Sequence, residues 1–406
     1  MSIGEPGIRG SAEVADRAWG FVLAVFVVSR LFYLISGTLL VKVVPIDLFQ
    51  RDSSTDIPFG TLNIWTRMDG DHFLNIAESG YENEKPAHFP LYPLLVRFSA
   101  ELLGGPISRG SLSTYGVIVS LVAFFFALYF VYRVAEQNWG VRVAEGTTLT
   151  LAFFPTAFFF NAFFSESLFL MLSAGAIWAA RVRKDLPLAC LFAMLATPTR
   201  IVGVLLLIPL AYEWWRNRHE YGSRAVSYLA FVPVGLATYA TYLWWRFGNP
   251  LLFYSGQADW GRAPIWATNA ATEVFRLAYE NARALFDPAN YEPFGFDRLV
   301  IALSGQNYLY NLVFFLFALT VLAVGWRLLP AGLGVYGIAL IVVSVLSPPL
   351  DNPLMSMPRY VLVAFPLFIV LGALLKDRRL LAGWLLASAA ISLVFTALFV
   401  GWYFVA

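Results

Sequence analysis

R-M-D-G-D-H-F-L-N-I-A-E-S-G-Y-E-N-E-K-P-A-H-F-P-L-Y-P, residues 67 to 93, is a polar insert in a chain that otherwise reads as membrane. Acids, histidines, aromatic residues and prolines crowd together here between hydrophobic spans, at a density that a merely solvated loop does not need. The stretch reads as a catalytic loop. Asp69 and Asp71 flank Gly70, and Phe73, Ile76 and Ala77 follow at helical spacing before Gly80, which predicts a short amphipathic helix lying along the membrane interface. Downstream, A-H-F-P-L-Y-P cannot continue that helix and predicts a rigid turn back to the membrane surface.

The surrounding chain sets the fold class. Of 406 residues, 59% are hydrophobic and only 13% charged, and apolar runs near bilayer length recur, so an all-α polytopic membrane protein is expected. The 36 Phe, 19 Tyr and 13 Trp suit lipid-facing surface and interfacial belts. A net charge of +2 without a dense basic patch excludes a nucleic-acid partner. Cys190 stands alone, which rules out a disulfide framework or a cysteine metal site. His72, His88 and His219 are too scattered to form a histidine site by spacing alone. The opening M-S-I-G-E-P-G-I-R-G lacks a signal-peptide pattern, so the first span is expected to be retained.

Spans are expected near 19–41, 112–132, 143–160, 167–180, 225–245, 307–326, 331–346, 360–375 and 380–404. Two short ones fold back around T-P-T-R within 186–212, giving about eleven in a single membrane-embedded domain over 1–406. Two long inserts, 42–111 and 246–306, are expected as extracytoplasmic loops. The first is the catalytic loop and the second an interfacial cap whose Trp260, Trp266, Tyr279 and Tyr291 can stack on sugar faces or simply sit at the interface. Lys and Arg are denser in the segments that face the cytoplasm when the N-terminus is inside. That topology puts R-M-D-G-D-H, S-E-S, T-P-T-R, the 246–306 insert and S-P-P-L-D-N-P-L-M-S-M-P-R on one outer face. A site built from several loops there suits an enzyme whose substrate arrives at the lipid boundary of a plasma (inner) membrane.

Each candidate residue has a chemical and a structural reading. Asp69 can act as general base toward an acceptor hydroxyl, or it can be the N-cap of its helix. With Asp71 it can also hold a divalent cation, Mg or Mn. His88 can orient an acid or bond a substrate oxygen, or pack among aromatics. Glu166 in S-E-S-L-F can face the same cavity as Asp69, or be a favourable charge at a helix start. Arg200 and Arg359 each open a span, where a guanidinium can clamp a phosphate bidentately, snorkel, or pair with an acid. Arg30 lies mid-span, at about 2.5–3.5 kcal/mol on insertion scales, so it needs a buried partner or a polar groove; a structural pair and a lipid-phosphate contact both satisfy that.

These motifs carry a resemblance. R-M-D-G-D-H-F-L-N-I-A-E-S-G-Y with A-H-F-P-L-Y-P resembles the first outer loop of the PIG-V-type family, the second mannosyltransferase of GPI-anchor assembly and its prokaryotic relatives, which shows W-D-x-x-x-F…I-A…G-Y…A-F-F-P-x-x-P there. F-P-T-A-F-F-F-N-A-F-F-S-E-S-L-F, A-T-P-T-R-I-V-G and S-M-P-R-Y are similar to later elements of that family, in the same order. Met68, His88 and Phe164 depart from its usual Trp, Phe and Tyr. The resemblance implies a GT-C-type glycosyltransferase fold with an extracytoplasmic active site. It implies a polyprenyl-phosphate-linked donor, with mannose as the sugar, and a glycolipid or glycan acceptor. Asp69 falls at the family's W-D aspartate, which points to inverting displacement with Asp69 as base. Arg200 or Arg359 would meet the leaving phosphate, while Asp71, His72 and Glu166 would position sugar hydroxyls or an optional metal. No nucleotide-binding loop appears, as a lipid-borne donor requires none.

Two other classes share the composition. A lipid or glycolipid transporter would concentrate its polar residues near the bilayer midplane in two related halves, whereas no internal repeat is visible here. A non-catalytic glycolipid-binding subunit would share the loops and lack turnover.

Overall fold

The computed structural model describes residues 8–45, 62–82, 86–262, 269–288, 296–349 and 351–405. Over these the chain is helical, apart from one isolated bridge between Arg262 and Pro349. The order begins with α1 (Ile8–Leu40), α2 (Asp69–Ser79), α3 (Leu91–Leu102), α4 (Arg109–Trp139), α5 (Val141–Ala152) and α6 (Glu166–Arg181). It continues with α7 (Leu186–Ala196), α8 (Leu207–Arg216), α9 (Arg218–Tyr221), α10 (Val234–Phe247), α11 (Leu252–Ser255) and α12 (Ala270–Leu285). The last six are α13 (Phe296–Ser304), α14 (Asn307–Val324), α15 (Ala331–Val343), α16 (Met357–Val363), α17 (Phe365–Leu374) and α18 (Arg378–Val400).

Five stretches among the described residues are long and apolar enough to cross a membrane: Arg17–Leu40, α4, Ser223–Phe247, α14 and α18. The pair α16 and α17, bent by 73°, makes up to a sixth. The chain is a multi-pass membrane protein. The other expected spans correspond to shorter helices, several of them interrupted where the sequence places proline. The expected span over 143–160, for example, is not one helix: α5 ends at Ala152, and a 3-10 turn covers Ala157–Phe160.

The Pro155 break shows how such interruptions survive in an apolar interior. Carbonyls freed from helix pairing must find donors, since lipid supplies none. The guanidinium of Arg30 donates to the Ala152 and Ala157 carbonyls at 2.9 and 3.0 Å and to Asn161 Oδ1 at 2.6 Å. Ser388 donates to the Phe153 carbonyl, and the Tyr33 hydroxyl donates to that of Phe154. Arg30 also lies over the rings of Tyr33 and Phe124. It is thus a structural staple of the break. Of the two readings left open for it, structural partner or lipid-phosphate contact, these bonds to Ser29, to Asn161 and to backbone fit the first.

The helix α6 is the axis of the bundle and packs against α4, α7, α8 and α16. Nearly every residue in it is buried, as an apolar-all-round helix must be. Beside it α5 and α17 cross closely: a Cβ added at Gly146 would lie 3.2 Å from the Gly372 Cα. In the first insert, A-H-F-P-L-Y-P is not only a turn. It opens α3, with Pro90 as N-cap and Pro93 in the first turn, where the missing N–H has no helical partner to lose.

Candidate active site

Four interruptions of the chain converge at one end of α6, and each delivers a charged side chain. Asp69 begins α2 after Met68, which takes φ 52°. Glu166 begins α6 after the irregular stretch 153–165. Arg200 follows the turn that ends α7, in extended backbone at φ −154°. Arg359 lies in the first turn of α16 after Ser356, which takes φ 68°. The pieces are tied by backbone as well: Phe163 N donates to the Trp65 carbonyl, and Leu91 N donates to that of Pro198. Gly70 permits the approach, since a Cβ there would lie 3.3 Å from the Phe163 carbonyl oxygen.

The four side chains form one network. Arg359 Nη1 meets Asp69 Oδ2 at 2.6 Å, and its Nε meets Glu166 Oε1 at 2.7 Å. Arg200 Nη1 donates to that same Oε1 at 2.6 Å. Two positive and two negative charges are thus brought together. The network is layered by depth: the Glu166 side chain is 0% exposed, Arg359 8%, Arg200 14% and Asp69 27%. The open rim therefore carries a carboxylate on one side and a guanidinium on the other. Burial by itself pushes the Asp69 carboxyl up, but Arg359, together with His88 and His72, outweighs it and holds the pKa at about 2, below its ordinary 3.8.

The N-cap reading of Asp69 does not hold, because Met68 occupies the N-cap and Asp69 is the first helical residue. His72 and His88 stack at 4.6 Å between ring centroids, and Phe73 meets His88 edge-on at 5.2 Å. Both histidines lie close enough to influence Asp69. Asp71 turns elsewhere: Arg109, the first residue of α4, reaches Asp71 at 3.6 Å and Glu78 at 3.3 Å and donates to Asn75. Asp69 and Asp71 therefore answer to different arginines, which does not fit their joint cation site. Among the described residues no group of three or more His, Cys, Asp or Glu is placed to hold a metal.

Two features escaped the sequence reading. The Arg109 anchor had a signal, since Asp71, Asn75 and Glu78 recur at spacings of four and three along one face of α2. The second is Arg67, whose guanidinium lies 4.8 Å from the ring of Trp402; a contact so remote in sequence leaves no local pattern. In the second insert Tyr279 is exposed, whereas Trp266, Tyr291 and the side chain of Trp260 lie outside the described residues.

With this geometry in place, comparison with known proteins separates segment from fold. Residues 55–213 match the family model described as Mannosyltransferase (PIG-V). The matched segment contains Asp69, Glu166 and Arg200, and Arg359 reaches it from outside. Among solved structures, the chain is similar to ArnT from Cupriavidus metallidurans bound to undecaprenyl phosphate, at TM-score 0.51 and 14% identity. That alignment covers 92% of this chain and 63% of ArnT. The chain is also similar to the oligosaccharyltransferase of Archaeoglobus fulgidus, at TM-score 0.47 and 12% identity over 95% of this chain and 56% of that one. Among curated proteins, none matches this sequence. At 14% identity the likeness to ArnT is one of fold: an all-helical membrane fold that spans 63% of the ArnT chain.

Proposed function

We propose that the chain is a membrane glycosyltransferase that moves a sugar, mannose, from a polyprenyl-phosphate carrier to a hydroxyl of a glycolipid or glycan acceptor. The observation that carries this reading is the open rim of the network, where a carboxylate and a guanidinium stand on either side of Arg359 inside the segment that the PIG-V model matches. The acceptor O–H gives its proton to Asp69 as its oxygen attacks the anomeric carbon. The bond from that carbon to the phosphate oxygen breaks with inversion, and the electron pair leaves with the polyprenyl phosphate. Arg200, whose guanidinium hydrogen-bonds to Glu166 among the described residues, meets the developing charge. His72 and His88 line the Asp69 side and contact the sugar. Arg359 is already bonded to two carboxylates and serves mainly to orient them. The residues present do not fit a divalent cation at Asp69 and Asp71, and no step is assigned to one.

The site lies on the extracytoplasmic face of a plasma membrane, with the N-terminus cytoplasmic. This orientation follows from the Lys and Arg distribution, and a lipid-borne donor suits a site at the bilayer boundary. The test is transfer of radiolabelled mannose from polyprenyl-phospho-mannose in membranes containing this protein, beside Asp69→Asn. Label in a new lipid or glycan with the wild type alone is expected. Equal label with both proteins removes Asp69 from the base role, and none with either, across several donor sugars, returns the chain to the transporter class.

A further inference from the structure

We propose that Glu166 is the positioning residue of this site: one buried carboxylate oxygen holds Arg200 and Arg359 side by side, so that Arg359 is committed to Asp69 and Arg200 is aimed at the donor's phosphate. The inference rests on the lipid-phosphate reading above and gives Glu166 a role that does not involve touching sugar.

Four observations carry it. The Glu166 side chain is completely buried, so it cannot reach substrate at the rim. Its Oε1 accepts from both arginines, at 2.6 Å from Arg200 Nη1 and 2.7 Å from Arg359 Nε, while its buried Oε2 has no hydrogen-bond partner among the described residues. Two guanidinium groups meeting at one oxygen repel each other, and in a low-dielectric interior only a shared counter-charge keeps them together. The Glu166 carboxylate is itself placed where charge is favoured, at the first residue of α6, where the helix N-terminus is positive. Beyond its bond to Glu166 the Arg200 guanidinium lies 5.6 Å from the Tyr360 ring, makes no other hydrogen bond among the described residues and is 14% exposed, which leaves donors for an anion at the rim.

The sign of one measurement separates positioning from simple charge. If Glu166 were only a negative charge near the arginines, Glu166→Gln would strengthen anion binding, because the neighbourhood becomes more positive. A positioning role demands the opposite. The protein, purified in nanodiscs, is titrated with undecaprenyl phosphate for the wild type, Glu166→Gln, Glu166→Asp, Arg200→Gln and the Glu166→Gln/Arg200→Gln pair. Thermal unfolding of each variant reports on folding. Glu166→Gln is expected to weaken binding about tenfold, the loss of one charge-assisted contact. Glu166→Asp keeps the carboxylate and is expected to recover part of that loss. Arg200→Gln is expected to cost little more in the Glu166→Gln background, since an arginine that has lost its aim has little left to lose.

Equal or tighter binding by Glu166→Gln overturns the proposal, as does a full, additive cost of Arg200→Gln in both backgrounds. Should Glu166→Gln not fold, the same decision falls to Glu166→Asp: weakened binding in a folded protein supports positioning, and wild-type binding overturns it. Failure of the wild type to bind undecaprenyl phosphate overturns the lipid-phosphate reading itself, and the positioning role with it. The two failures are therefore distinguishable.

Discussion

The two ends of α6 each carry a buried charge with partners from other helices, and they differ in one respect. At its first residue, Glu166 belongs to a four-membered network whose outer members, Asp69 and Arg200, are 27% and 14% exposed. At its last residue, Arg181 pairs with Glu213 of α8, and the side chains are only 8% and 5% exposed. Asn138 of α4 accepts from Arg181 at 2.9 Å, and Asn217 donates to the Glu213 carbonyl and carboxylate. Both ends suit the helix dipole, acid at the N-terminus and base at the C-terminus. The Arg181 end closes its charges on one another and ties α4, α6 and α8. The Glu166 end leaves a carboxylate and a guanidinium facing outward. What separates the two ends is therefore the openness of the outer members, not the burial of the charges.

The largest expected effects set the ends against each other. Asp69→Asn keeps an acceptor for Arg359 but removes the proton acceptor. Turnover should fall by about 10²–10⁴-fold, the usual contribution of general base catalysis, with a modest loss of stability. Glu213→Gln strips the counter-charge from Arg181 and should cost about 3–5 kcal/mol of stability, as broken buried pairs do, while the folded fraction turns over at the wild-type rate. Mannose transfer and thermal unfolding on the same preparations check both. A Glu213→Gln protein that is stable but inactive would erase the distinction between the ends.

The same contrast shows what the sequence disclosed. Asp69, Glu166, Arg200 and Arg359 each stood beside a proline, glycine or serine break in an apolar run, and a charge at such a break has to be accommodated, so four scattered motifs could be read as one locality. Arg181 and Glu213 carry no such signal in the sequence, because a charge at the end of an apolar run looks the same whether it meets water or a partner. For Arg30 the sequence left two readings open for a different reason. Its partners are backbone carbonyls freed at Pro155, and a sequence lists side chains, not the acceptors that a broken helix creates. The pairing of Asp71 with Arg109 rather than with a shared cation was likewise a matter of which helix lay alongside α2.

A smaller effect separates the ends by pH. The folded-state value of Asp69, about 2, lies below its ordinary 3.8, so its contribution is present above the unfolded value and is lost as pH falls through the folded one. At neutral pH this makes the wild type more stable than Asp69→Asn by about 2 kcal/mol. That gap should close between about pH 4 and pH 2. Denaturant titrations of both proteins down that range measure it. A gap that closes instead between pH 7 and 5 would mean that Arg359 does not hold Asp69 in the free protein. The pH profile of kcat/KM should agree, with no acid limb from Asp69 above about pH 4.

The smallest effect compares backbone strain at the two ends. Ser356 takes φ 68° just before Arg359, and Lys184 takes φ 58° just beyond Arg181. A left-handed conformation costs a residue with a side chain roughly 1–2 kcal/mol, so glycine at either place should stabilise by about 1 kcal/mol, less the few tenths that exposed contacts of Lys184 with Asn217 and Glu220 supply. Activity should diverge where stability does not. Lys184→Gly leaves the network untouched and should turn over normally. Ser356→Gly frees the turn that fixes Arg359, and through it Asp69. Turnover should then drop about threefold to tenfold, because small misplacements of a catalytic group are costly. Thermal unfolding and steady-state transfer on the two variants decide the matter. Equal rates would mean that the strain at Ser356 is incidental to where Arg359 sits, and that the network holds its own geometry through Glu166 alone.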